Sequence, residues 1–226
     1  MKITILTLFP DFFISPLASS MLKRAQNSDS VTFSIINIRD FTTDKHSTTD
    51  DRPFGGGAGM VLKVEPIFNA LQSLNLLEKD GENKGKRKKN DSRLVLLTSA
   101  KGDQFTQEKA RTFAQYTEII IICGHYEGVD QRVSLHLIDA EVRIGDYVLT
   151  GGEPAAIVLA DAISRLVPGV LGNESSLEGE SHDKPGVFGY PQYTRPEVFN
   201  DWATPSTLLG GNHAEIKTWR EKNRTK

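Results

Sequence analysis

The sequence predicts an α/β fold built around a mostly parallel β-sheet. Residues 2–8 alternate in polarity and are rich in β-branched side chains, which indicates a strand. Pro10 and the amphipathic stretch 16–26 then predict a turn into a helix, and residues 31–38 predict the next strand. A strand, a helix and a strand in so short a span are typical of a βαβ unit in a parallel sheet.

Two further observations support this fold class. Residues 118–123 read EIIIIC, a nearly continuous apolar run of the kind found in strands that are buried on both faces. The chain has 226 residues, of which 38% are hydrophobic and 25% charged. This length and composition predict an ordinary globular protein with one large domain or two unequal ones.

The middle of the chain alternates loops, helices and strands. Residues 39–59 have no periodicity and are rich in Asp, Thr and Gly, which predicts a long loop lying over a site. Residues 64–77 have helical spacing and should cover the sheet. Residues 78–92 are wholly polar, with a basic cluster at 84–89, and predict a solvated, flexible insertion that catalysis does not need.

The second half predicts a strand at 94–98, a helix capped by Thr106 that runs to residue 116, and a helix at 153–166. Residues 173–192 lack periodicity and contain much Gly, Ser, Glu and Pro, which predicts a linker. Residues 196–219 should form a small helical appendage. We therefore predict a main domain at 1–172, a flexible linker at 173–192 and a small helical domain at 193–226.

Composition excludes several classes of protein. The single cysteine, Cys123, excludes a disulfide framework and a Cys-rich zinc site. The five histidines do not fall at metal-ligand spacings, so we assign no metal site. The apolar run 3–9 ends at Pro10, no stretch approaches the roughly 18 apolar residues of a membrane span, and we expect a cytoplasmic protein. A net charge of −2 argues against indiscriminate coating of nucleic acid but allows a local basic surface.

Two glycine-rich turns stand out as a candidate pocket. The first is Gly124–His125–Tyr126–Glu127–Gly128, directly after the apolar strand, and the second occupies residues 144–154. Glycines that cluster where strands end let backbone approach another group closely. No dinucleotide-binding fingerprint or phosphate-binding P-loop is present, and the GGGAG run at 55–59, taken alone, is typical of a flexible loop.

Several ordered motifs resemble the bacterial tRNA (guanine-N1)-methyltransferases, which use S-adenosylmethionine to modify the guanine just 3′ of the anticodon, at tRNA position 37. The matching strings extend over nearly the whole chain and read RPFGGGAGMV (52–61), CGHYEGVDQRV (123–133), RIGDYVLTGGEPAA (143–156), SRLVPGVLG (164–172), YTRPEVF (193–199) and LLGGNHAEI (208–216).

The resemblance implies a SPOUT-like fold with a deep trefoil knot, whose loops at 99–102, 123–128 and 143–154 hold S-adenosylmethionine and its product S-adenosylhomocysteine. Two positions depart from the family pattern, since Ala100 replaces a proline and His125 an arginine. The implied cofactor contacts are Gly124, Tyr126, Glu127, Ile144, Gly145, Asp146, Tyr147, Val148, Leu149, Gly151, Gly152 and Pro154.

Methyl transfer to N1 of guanine needs two groups. A base must remove the N1 proton, whose pKa lies above neutral, and a cation must stabilise the negative charge that grows toward O6. By resemblance, Arg165 is the candidate cation and Glu180, at the position of the family's aspartate, is the candidate base. Asp183, three residues further on, is the alternative base.

The resemblance also implies partners. It predicts tRNA as the substrate, with Arg195, Lys217 and Arg220 near its phosphates, and a homodimer whose active sites are shared between subunits. Magnesium assists some family members and is kept as an optional ion. Two alternative functions stay open, a non-catalytic RNA-binding regulatory module and a knotted methyltransferase that acts on ribosomal RNA.

Overall fold

The computed structural model describes residues 1–89, 92–172 and 179–225. Its strands, in chain order, are β1 (Lys2–Thr7), β2 (Thr32–Asn37), β3 (Asp50–Asp51), β4 (Val61–Leu62), β5 (Arg93–Gln104), β6 (Glu118–Cys123), β7 (Ala140–Arg143), β8 (Val198–Phe199) and β9 (Trp202–Ala203). Its helices are α1 (Ile14–Leu17), α2 (Ser20–Asn27), α3 (Val64–Ser73), α4 (Gln107–Phe113), α5 (Gln131–His136), α6 (Glu153–Ser164), α7 (Ser206–Leu209) and α8 (His213–Lys222).

Five strands form a wholly parallel sheet in the order β2-β1-β6-β5-β7, which confirms the predicted α/β class. Strand β6 lies at its centre and has the predicted bounds. Its isoleucines are fully buried because both faces of the sheet are covered. Ile119 and Ile121 pack into the core on the α6 side, whereas Ile120 and Ile122 pack into the core on the α3 side.

Several elements differ from their predicted bounds. The helix predicted at 16–26 is divided into α1 and α2, because Ser20 has a φ of 47°, which interrupts the helical backbone. Helix α3 ends at Ser73 rather than at 77, and β5 continues to Gln104 rather than ending at 98. The short elements α5 and β7 were not predicted. The loop predicted at 39–59 contains β3, which pairs with β4 as an antiparallel hairpin.

The prediction of a solvated insertion at 78–92 is wrong for Arg87. This side chain is only 8% exposed, and its guanidinium lies 3.0 Å from the Asp139 carboxylate. The backbone N–H of Arg87 also donates to the carbonyl of His136 at 2.7 Å. Asp139 in turn accepts from the backbone N–H of Val95 in β5 at 2.8 Å. Within the described residues, which leave out 90 and 91, this basic segment is therefore bonded to the edge of the main sheet.

The chain divides into two compact units, Met1–Gly172 and Asn173–Lys226. Residues 173–178 of the predicted linker and residue 226 of the predicted small domain lie outside the described residues. The second unit is not purely helical as predicted, because β8 and β9 form a hairpin before α7 and α8. Asn200 and Asp201 adopt positive φ at its turn, a conformation these residue types tolerate well. No helix in the described part of the chain is long and apolar enough to cross a membrane.

Candidate functional site

A cavity of about 370 Å³ lies where β6 and β7 end, beside the irregular stretch 98–103 within β5. In parallel sheets, ligands bind in the crevice outside the carboxyl ends of the strands. The structure brings both predicted glycine turns into the wall of this one cavity. The predicted site residues among its lining are Gly124, Tyr126, Glu127, Ile144, Gly145, Tyr147, Val148, Leu149, Gly151 and Gly152.

Two of the predicted contacts lie outside this lining. The Asp146 carboxylate is exposed and forms an ion pair with Arg143, 2.8 Å from its Nε. Pro154 lies in the first turn of α6, where its fixed φ and missing N–H suit a helix start. Their direct neighbours Gly145 and Ala155 do line the cavity, so these two positions border it.

Thr98 in β5 links this strand to the end of β6 beside the cavity. It was not identified from the sequence as a site residue. Its hydroxyl donates to the carbonyl of Ile122 at 3.2 Å and accepts from the N–H of Gly124 at 3.2 Å. The middle of β5 is thereby held to the end of β6. The available signal was a polar residue directly after the buried apolar run 94–97. Ser134 of α5 also lines the cavity, but no pattern in the sequence pointed to it.

Contacts within the protein, rather than a bound ligand, require glycine at two positions in these turns. A Cβ on Gly124 would lie 2.8 Å from the carbonyl oxygen of Thr98, and one on Gly152 would lie 2.8 Å from the backbone N of Gly124. Real Cβ atoms do not approach backbone so closely. The N–H of Gly152 donates to the carbonyl of Gly124 at 2.8 Å. The cavity wall is therefore made by backbone segments packed directly on one another.

A buried carboxylate lies behind the cavity. Glu153, the first residue of α6, is 4% exposed and accepts a hydrogen bond from the Thr7 hydroxyl at 2.7 Å. Burial, together with this carboxylate, raises the pKa of the Cys123 thiol well above its usual range. Because the thiolate is the reactive form, Cys123 is not equipped to act as a nucleophile. Cys123 is also buried and is not among the residues that line the cavity, so it offers the site no covalent catalysis.

His125 and Tyr126 form the tip of the first turn. Tyr126 has a φ of 60°, an uncommon value for an aromatic residue that often marks a functional turn. The His125 ring lies 4.8 Å from the Tyr126 ring and 4.9 Å from that of Phe9, which orients it. Its Nδ1 is buried and makes no hydrogen bond with any described residue. Buried polar atoms normally have partners, so this nitrogen is an exception among the described residues.

Arg165 is not among the residues that line the cavity. It follows Ser164, the last residue of α6, whereas Gly152 and Ala155 at the start of α6 line the cavity. A helix rises about 1.5 Å per residue, so Arg165 lies about 18 Å along the axis from Glu153. That is farther than an arginine side chain extends. The structure therefore separates the predicted cation from the pocket of its own chain.

Glu180 and Asp183 belong to the second unit, in which Asp183 is already engaged. The Arg224 guanidinium hydrogen-bonds and forms an ion pair with the Asp183 carboxylate, and this hydrogen bond lowers the pKa of Asp183. The same guanidinium donates to the backbone carbonyl of Glu180 at 3.2 Å. A carboxylate with a lowered pKa is a weaker base, which makes Asp183 the less suitable of the two for proton removal.

Comparison with known proteins gives one consistent family. Residues 1–226 match the family model described as tRNA (Guanine-1)-methyltransferase TrmD. A protein of Carboxydothermus hydrogenoformans named tRNA (guanine-N(1)-)-methyltransferase is 51% identical over 222 residues, which are 98% of this chain and 82% of that protein. Proteins of the same name from Dehalococcoides mccartyi and Halalkalibacterium halodurans are 50% and 45% identical, over 98% and 100% of this chain and 85% and 87% of theirs.

Proposed function

Because this chain belongs to the tRNA (guanine-1)-methyltransferase family, we propose that it transfers a methyl group from S-adenosylmethionine to N1 of the guanine at tRNA position 37. The observation that carries this proposal is the cavity formed by the two glycine turns, whose sequence and position fit a methyl-donor pocket. The protein would act on tRNA in the cytoplasm, where tRNA is processed.

The pocket residues fit S-adenosylmethionine. A volume of about 370 Å³ lies in the range of small-molecule sites, which are mostly apolar with a few placed polar groups. Ile144 and Leu149 supply apolar surface, and the turns supply backbone N–H and C=O groups. When bound, S-adenosylmethionine supplies an electrophilic methyl group on its sulfonium sulfur.

The same contacts support a trefoil knot as the form of this pocket. Segment 143–154 bonds to the turn after β6 through Gly152 and Gly124. Val142, directly before this segment in β7, lies against the irregular stretch 98–103 of β5, because a Cβ on Gly102 would be 2.5 Å from the backbone N of Val142. These close contacts on both sides support a deep knot, and we propose that the chain passes through one here.

The proposed chemistry assigns one task to each of two residues. Glu180 removes the N1 proton as the nitrogen attacks the methyl group in line with the leaving sulfur. Arg165 donates hydrogen bonds to O6, where negative charge develops as the proton leaves. Asp183 holds the segment around Glu180 through Arg224 rather than acting as the base.

The position of Arg165 supports a homodimer with shared active sites. Since Arg165 lies at the far end of α6 from its own pocket, a second copy of the chain is needed to supply this cation. Apolar side chains suited to an interface are exposed on and beside α6. Val158 on α6 is 44% exposed, and Phe12, in the 3-10 turn after β1 that contacts α6, is 45% exposed.

Subunit mixing tests this arrangement. A Gly145→Val subunit has a blocked pocket and a normal Arg165. An Arg165→Gln subunit has a normal pocket but lacks the cation. Each homodimer is expected to be inactive, whereas the mixed dimer should regain about half of the normal activity, because one of its two sites is intact. A mixed dimer that forms but stays inactive would place the whole site within one chain. Sedimentation of each variant checks that dimers form.

Radiolabelled methyl transfer to unmodified tRNA transcripts tests the proposed function itself. We expect label at N1 of guanine 37 and none on a matched transcript with adenine there. Adenine has neither the N1 proton nor the O6 atom of guanine. Cofactor and tRNA binding without any transfer would instead indicate a regulatory module. Methyl transfer to ribosomal RNA but not to tRNA would indicate a knotted methyltransferase that acts on ribosomal RNA.

A further inference from the structure

Phe54 is an exposed aromatic side chain that the proposed reaction leaves without a task. It lies in the loop at 52–60 that joins β3 to β4, and its relative exposure is 101%. Large apolar side chains are seldom left fully in water without a reason. Among the described residues of the first unit, nothing would meet a Cβ added at Gly55 or Gly56 within 4 Å, so the tip carrying Phe54 stands clear of that unit.

The base of this loop is bonded to the rim of the cavity. The carbonyl of Met60 accepts from the N–H of Glu127 at 3.0 Å, and Val61 forms a bridge with Tyr126. Gly59 lies directly against the Glu127 side chain, which lines the cavity. An extended chain spans about 3.4 Å per residue, so Phe54, five residues before Gly59, lies within about 17 Å of that rim. Phe54 is therefore held near the mouth of the pocket.

The surroundings of Phe54 suit a nucleic-acid base better than a protein surface. Among residues 50–59 it is the only large apolar side chain, and its neighbours are Arg52, two aspartates and four glycines. A protein interface needs a cluster of apolar side chains, whereas a single ring suffices to stack on one unpaired base. Arg52 is exposed beside it and can contact a phosphate.

We propose that Phe54 stacks on an unpaired base next to the target guanine and positions the RNA at the pocket mouth. This inference rests on the proposed function, because it names the part of the tRNA that the same site recognises. The bases around a methylated position next to the anticodon lie in a single-stranded loop, and such bases are recognised by stacking on aromatic side chains.

A double-mutant cycle tests the stacking. Phe54→Ala should raise the KM for tRNA by about 10-fold or more, with the affinity for S-adenosylmethionine and the thermal unfolding unchanged. Phe54→Tyr should retain normal KM, whereas Phe54→Leu, which is apolar but has no ring, should behave as Phe54→Ala does. The same variants are then assayed with two further transcripts, one lacking the base on the 5′ side of the target guanine and one lacking the base on its 3′ side. If Phe54 stacks on one of these bases, Phe54→Ala should cause no further rise in KM with the transcript that lacks it.

Three outcomes would overturn the inference. An equal loss on intact and both abasic transcripts would show that Phe54 does not stack on a flanking base, and a normal KM for Phe54→Ala would show that it does not contact RNA. A change of oligomeric state in Phe54→Ala would assign the ring to the partner subunit. If the unsubstituted protein methylates no tRNA, the proposed function fails, and tRNA binding by the same variants then still tests Phe54.

Discussion

Replacing Glu180 with glutamine is expected to lower the single-turnover rate of methyl transfer by about 10²-fold or more. Glutamine keeps the size of the side chain but cannot accept the N1 proton. The affinity for S-adenosylmethionine, measured by calorimetry, should stay unchanged. The deficit should narrow as the pH rises toward the pKa of guanine N1, because the substrate then loses its proton without help.

Asp183→Asn is the matched control for this experiment. The hydrogen bond from Arg224 lowers the pKa of Asp183, so this carboxylate is a weaker base and its task is to hold the segment. We expect its loss to slow transfer by less than about 10-fold, with a deficit that does not depend on pH. If Asp183→Asn shows the larger, pH-dependent loss and Glu180→Gln does not, the base is Asp183.

Gly145→Val is expected to weaken cofactor binding by about 10²-fold or more while the protein stays folded. A Cβ on Gly145 would lie against the ring of Tyr147, an exposed side chain that also lines the cavity. The added side chain and the displaced ring would both occupy the pocket, and only a flexible group has to move. Calorimetric titration with S-adenosylhomocysteine measures the loss, and thermal unfolding checks the fold.

Gly124→Val provides the contrast. Here the added Cβ meets the backbone carbonyl of Thr98, which belongs to β5 and cannot move aside. Overpacking of this kind costs about 1–3 kcal/mol, so the unfolding temperature should fall along with binding. Equal unfolding temperatures for the two variants would show that the turns around Gly124 are less tightly packed than their contacts indicate.

The strands that could be predicted from the sequence are those with an alternating pattern, as in β1, or a continuous apolar run, as in β6. Strand β6 was located to the residue, because burial on both faces leaves few polar side chains in EIIIIC. Strand β7, with only four residues and the sequence AEVR, has no such signal, and α5 is too short for a helical period to show. The β8–β9 hairpin did carry a signal, since Asn200 and Asp201 lie between two short apolar pairs.

The site divides along similar lines. Glycine turns after strands were visible in the sequence, and the structure joins them into one cavity. The link through Thr98 was not visible, because it depends on the register between β5 and β6, which no local pattern encodes. In the sequence, Arg87 is likewise one of several basic residues in a cluster, and its ion pair with Asp139 depends on the fold. Pairings between distant segments set those parts of the site, and of the fold around Arg87, that sequence patterns could not supply.

The strand order of the sheet also governs how the protein can be made. Strand β1 is complete once residue 7 has been synthesised, but its central neighbour β6 begins at residue 118. At translation rates of about 5–20 residues per second, one edge of β1 waits for roughly 6–20 s without its native partner. The apolar Ile3, Ile5 and Leu6 are incompletely covered during that time. Assembly of the sheet on the ribosome is thus timed by the emergence of residues 118–123, and nascent chains shorter than this expose the edge at which misassociation would begin.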